Sequence, residues 1–117
     1  MAGHRRIDVS KAGDVTIVRF VDRRVLDEVG IQEIGQELLE LVEQPDARHL
    51  LLNFGNVDFI SSATLGKLLV LDRTIKAHEG RLKLSNIRPE IMEVFRVTRL
   101  DRVFDIRDEE AEALAAF

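Results

Sequence analysis

His49-Leu-Leu-Leu-Asn-Phe54 is a continuous apolar run of strand length, and its continuity predicts a β-strand covered on both faces. Gly55-Asn56 breaks the run, and Val57-Asp-Phe-Ile60 leads on to the pair Ser61-Ser62. Leu65, Leu68, Leu69, Leu71 and Ile75 then form a helical stripe, predicting a helix from Thr64 to about His78. A strand, a break and a helix in this order place two hydroxyls at a helix N-terminus. There the unpaired N–H groups and the positive end of the macrodipole favour an oxygen acceptor or a phosphate.

Working outward, Glu79-Gly80 closes the helix, with Gly80 suited to the position just past its end. Arg81-Leu-Lys-Leu-Ser85 alternates as a strand does. Pro89 suits the first turn of a third helix that starts at Arg88, since its missing N–H is needed by nothing there. Val103-Phe-Asp-Ile106 reads as a short last strand, and Asp108 to Phe117 as a last helix with acids in its first turn. Upstream, Arg6 to Ser10 and Val15 to Phe20 flank a turn at Lys11-Ala-Gly-Asp14, which predicts a hairpin with positive φ at Gly13. Asp22-Arg-Arg24 leads into a helix with apolar positions Ile31, Ile34, Leu38, Leu41 and Val42, ended by Gln44-Pro45-Asp46. The order β-β-α-β-α-β-α-β-α predicts an α/β fold: a mixed sheet of four to five strands with about four helices and parallel crossovers.

Length and composition narrow the function. The 117 residues fit one domain, 1–117, with a core that needs no disulfide or metal. Cys is absent, which excludes thiolate metal sites and a cysteine nucleophile and suits a cytoplasmic location. The first residues carry no apolar signal-peptide core, and no apolar run reaches the ~20 residues of a membrane span, so direct membrane insertion is not expected. A net charge of −4 and the lack of Trp and Tyr argue against nucleic-acid binding.

Catalysis and metal binding find little footing. Gly-x-Ser-x-Gly is missing, and His4, His49 and His78 read as a terminal residue, a strand start and a helix end. Asp22, Asp58 and Asp108-Glu-Glu110 fit no calcium-loop spacing. Arg88, Arg96, Arg99, Arg102 and Arg107 read as a solvated face, with an acidic-partner surface as the second reading. No catalytic residue, metal ligand or cofactor is therefore assigned.

Two segments resemble a known family. Val57-Asp-Phe-Ile-Ser-Ser-Ala-Thr-Leu-Gly66 is similar to the central signature of STAS domains, the anti-sigma factor antagonist family: an apolar pair, Asp, Ser, Ser or Thr, Gly, Leu, Gly. Leu84 to Ile106 resembles its C-terminal run, where Asn and Pro lead into a helix and Thr-x-Leu-Asp-x-x-Phe leads to the last strand. The resemblance implies a regulatory module whose partner is a serine kinase that doubles as an anti-sigma factor. It places the phosphorylated serine at Ser62, Phe59 on the preceding apolar position and Leu65-Gly66 on Leu-Gly. Partner contacts are then expected from Asp58, Phe59, Ser61, Ala63, Thr64, Leu65 and Gly66, with Asp22 and Arg23 at the rim, on a monomer or weak dimer. Ser61 stands where the family has Asp, and Thr64 where it has Gly. The first departure leaves Ser61 as a rival acceptor and favours the alternative: a non-phosphorylated scaffold subunit of a signalling assembly or lipid transporter.

Overall fold

In the computed structural model, which describes residues 7–21, 24–25, 28–44 and 48–117, Leu50, Leu51 and Leu52 are all completely buried. They belong to β4 (His49–Asn53), the middle strand of a five-stranded sheet. Its other strands are β1 (Ile7–Ala12), β2 (Val15–Phe20), β6 (Arg81–Ser85) and β7 (Asp105–Arg107), in the spatial order β1-β2-β4-β6-β7. Only β1 runs antiparallel to its neighbour, joined to β2 by a turn in which Gly13 has φ +60°. The parallel pairs β2–β4, β4–β6 and β6–β7 require crossovers. These are supplied by α1 (Glu28–Val42), α2 (Ser62–Ala77) and α3 (Pro89–Val97), and α4 (Glu110–Ala115) follows the last strand. The mixed sheet and four helices expected from the sequence are present.

The two faces of the sheet differ. Val18, Phe20, Leu50, Leu52 and Leu84 share the main core with Leu38, Leu68, Leu71, Ile75, Ile91 and Phe95 from the first three helices. On the opposite face Val15, Ile17 and Leu51 meet Ala113 of α4, with Leu114 and Phe117 packed alongside. Leu51 thus points one way and its neighbours the other, as alternation in a doubly covered strand requires.

Several local expectations need correction. The segment leading into α1 holds a strand that the sequence pattern does not show: Arg24–Val25 (β3) pairs in parallel with Phe59–Ile60 (β5) as a separate two-stranded ribbon. The helix expected from Thr64 starts two residues earlier, and the last strand is Asp105–Arg107, preceded by a 3-10 turn at Leu100–Arg102. The last helix is shorter than the run Asp108 to Phe117. The left-handed residue after α2 is Glu79 at φ 62°, not Gly80. Arg6, His4, Asp22, Arg23, Pro45 and Asp46 lie outside the described residues.

On the second face Lys83, Asp105 and Arg107 are paired with one another, whereas Ser85 Oγ is buried with no hydrogen-bond partner among the described residues. Lys83, almost fully buried, donates to Asp105 and lies 5.1 Å from the centre of the Phe117 ring. Arg107 Nε donates to the other Asp105 oxygen at 2.8 Å. The Arg107 hydrogen bond, together with the hydrogen bond and charge of Lys83, holds the Asp105 carboxyl below its usual range against the opposing effect of partial burial. The folded chain then ionises this group more readily than the unfolded chain does. The resulting stability is fully present above the unfolded carboxyl pKa of about 3.9 and is lost as pH falls through the folded value. Asp105→Asn is expected to cost about 1 kcal/mol at neutral pH, discounted for the solvent that reaches this carboxylate. In urea melts the difference from wild type should shrink between about pH 5 and about pH 2. A difference that stays constant over that range would contradict the pairing.

Candidate functional site

Where β4 leaves the sheet, its chain is tied down at every step. Phe54 N–H donates to Ser85 O at 2.9 Å, and Phe54 O accepts from Val57 N–H at 2.9 Å. Between them Gly55 N–H donates to Asn53 Oδ1 at 2.8 Å. Asn56 Nδ2 reaches across to the end of β2, donating to Val21 O at 2.8 Å and Phe20 O at 3.2 Å. Val57 is fully buried, so the loop is pinned by an apolar plug as well as by hydrogen bonds. In the sequence Asn56 reads only as part of the Gly55-Asn56 break and Asn53 only as part of the strand; an Asn on either side of a Gly at a strand end is the signal for their loop-holding roles.

The ribbon strand β5 alternates, sending Ile60 into the core and leaving Phe59 44% exposed. Ser61 follows in extended geometry (φ −106°, ψ 170°) as the N-cap of α2. Its Oγ accepts from Thr64 N–H at 3.3 Å and lies 3.2 Å from Thr64 Oγ1. This satisfies one of the donors that a helix start leaves open. Ser62 is the first helical residue and is exposed, as are Ala63 and Gly66. Thr64 and Leu65 are buried. A Cβ added to Gly66 would meet nothing within 4 Å, so this part of α2 is low and open rather than crowded. Val70, one turn on, is 45% exposed. The first turn of α2 carries no acidic residue, so the positive end of its dipole faces solvent uncompensated.

Of the expected contact residues, the structure brings Asp58, Phe59, Ser62, Ala63 and Gly66 to one exposed turn. Ser61 is half-buried in its cap, and Thr64 and Leu65 face inward. Asp22 and Arg23 fall outside the described residues, next to Val21, which is 52% exposed. His49 opens β4 at the end of the strand opposite this turn and stacks on Phe117 at 5.4 Å. His78 caps the far end of α2, roughly 24 Å along the helix from Ser62 at 1.5 Å per residue. Beneath the turn, Phe20, Ile34, Leu38, Phe54, Leu68 and Leu71 line an apolar gap of about 40 Å³ between α1 and α2, too small for an organic ligand.

Residues 6–113 match the STAS domain family model. Over 93 residues the chain is 28% identical to a Bordetella bronchiseptica protein that carries the name anti-sigma factor antagonist BtrV, covering 80% of this chain and 79% of the other. A solved STAS domain protein from Planctomyces limnophilus superposes with a TM-score of 0.84 at 26% identity, covering 94% of this chain and 96% of that one. The phosphorylated form of SpoIIAA, a Bacillus cell fate determinant, shares the fold with a TM-score of 0.71 at 22% identity, over 94% of this chain and 97% of its own. With one family model accounting for all but the ends of the sequence, the chain belongs to the STAS domain family.

Proposed function

We propose that this chain is a single-domain regulator of the anti-sigma factor antagonist type. Its exposed Phe59–Gly66 turn docks a serine kinase that is also an anti-sigma factor, and phosphate on Ser62 ends the contact. The observation that carries this reading is the division of labour between the two serines. Ser61 Oγ is engaged as the cap, whereas Ser62 is exposed one residue later at the first helical position. A phosphate there adds about −1.5 to −2 charges beside an N-terminus with no acid of its own, so the fold tolerates it. The docking partner does not. Charge and hydration arrive at a helix start flanked in sequence by the exposed residues Phe59, Ala63 and Gly66. A solved relative in a phosphorylated form, SpoIIAA, is in keeping with this reading.

The test is incubation with ATP and the serine kinases encoded near the gene, read as intact mass. One added phosphate is expected, lost in Ser62→Ala and retained in Ser61→Ala, whose helix should be weakened by about 1 kcal/mol. Ser62→Asp should lower kinase affinity at least about tenfold while leaving the melting temperature within about 2 °C of wild type. Phosphate that persists in Ser62→Ala would overturn the assignment. The neutral Ser61 cap favours one second reading, a constitutive scaffold subunit, which tight kinase binding without phosphate transfer would establish.

A further inference from the structure

The strand register sets Arg19, Asn53, Ser85 and Arg107 side by side across β2, β4, β6 and β7, on the sheet face that α4 covers. Glu110, the first residue of α4, is seated on this row. Arg19 Nη2 donates to both of its carboxylate oxygens at 2.8 Å, and Asn53 Nδ2 donates to one of them at 2.9 Å. The same Asn53 side chain offers Oδ1 to Gly55 N–H at 2.8 Å on its other side. A carboxylate only accepts and a backbone amide only donates, so the two partners together dictate one orientation of the Asn53 amide. Gly55 is fitted to this contact: a Cβ there would lie 3.0 Å from Asn53 Oδ1. Asn56, the next residue, holds the end of β2, and the same loop runs on to Ser61 and Ser62.

We infer that Asn53 is a positioning residue that couples the seating of α4, on one face of the sheet, to the loop that presents Ser62 at its edge. The functional consequence rests on the reading of Ser62 as the switch; the coupling itself is a property of the free protein. The α4 end of the link is built to yield. The helix is six residues long, buries only Ala113 fully, and is anchored by an ion pair that solvent reaches on both sides. When Glu110 withdraws, Asn53 Nδ2 loses a charged acceptor, the amide is free to turn, and Gly55 N–H loses its partner. A ligand that lifts α4 from the sheet therefore loosens the docking turn without touching it.

Amide hydrogen exchange on the full chain, without any partner, decides the matter. Glu110→Ala should accelerate exchange at Gly55 and through the loop to Ile60 by about tenfold, the scale of one hydrogen bond to a charged group. Glu110→Gln keeps an acceptor for Asn53 while weakening the pair with Arg19, and should leave the loop close to wild type. Faster exchange confined to α4 in Glu110→Ala would overturn the inference. Equal loosening of the loop by both variants would overturn it too, since the effect would then run through Arg19. The measurement needs no kinase, so a chain that is never phosphorylated removes the switch reading and leaves the coupling decided.

Discussion

Phe54→Ala should destabilise the protein by about 3–5 kcal/mol, measured by urea or guanidinium melts with the slope checked against wild type. Phe54 is completely buried, and its ring meets Phe20 at 5.0 Å between centroids, tilted by 51°. Truncation removes that aromatic contact and most of a side chain from the main core. The gap between α1 and α2 already borders this ring, so the new void joins an existing one instead of collapsing. Phe54 is also where β4 gives way to the site loop, through its backbone bonds to Ser85 and Val57. The variant should therefore loosen the loop as well as lower global stability. Phe54→Leu, which keeps most of the volume, should cost about 1.5 kcal/mol or less. A Phe54→Ala loss below about 1.5 kcal/mol would show that the neighbouring helices close over the space.

The parts of this fold that were legible in the sequence are those whose signal is local and repeated. Leu50 to Leu52 announced a strand buried on both faces because no polar residue interrupts it, and each of the three is fully buried. The β3–β5 ribbon left no such trace. Two residues cannot show a period, and the partners Arg24 and Phe59 are 35 positions apart. Burial of the alternating strand Arg81–Ser85 was hidden for a related reason. Its polar residues Lys83 and Ser85 are both buried, because a helix from the far end of the chain, with Phe117 beyond it, lies over that face. Alternation reports that the two faces of a strand differ, not that one of them is wet.

At the site, the residue pattern puts two hydroxyls at a helix start without showing which of them is the cap. The division depends on where the first helical residue falls, and helix ends are uncertain by a residue or two on pattern alone. Ser61 and Thr64, three apart and now hydrogen-bonded, are the spacing that marks the cap. The tie from Asn53 to Glu110 joins residues 57 positions apart. It depends on strand register and on which face α4 covers, and nothing local encodes either.

Gly80→Ala should cost at least about 3 kcal/mol, and Glu79→Gly should gain about 1 kcal/mol, in the same thermal or denaturant melts. The two neighbours exchange the roles that their residue types suggest. Glu79, not the glycine, takes the left-handed conformation after α2, at φ 62°. Its N–H donates to Lys76 O at 3.0 Å and Gly80 N–H donates to Ile75 O at 2.8 Å, the paired bonds of a Schellman end. Glycine at position 79 would relieve the crowding that a Cβ meets in that region of φ and ψ. Gly80 is needed for space: a Cβ there would lie 2.2 Å from Arg48 O, the carbonyl that accepts Arg81 N–H at 2.8 Å just before β4 and β6 pair. The obstacle is backbone, so relief requires α2 and the two central strands to separate or the Arg81 bond to break. Gly80→Asn distinguishes the readings. Asn tolerates positive φ, so it would be mild if conformation were the requirement, and it should instead fail at least as badly as Ala. A mild Asn variant, or a Glu79→Gly variant that loses stability, would return the left-handed role to Gly80.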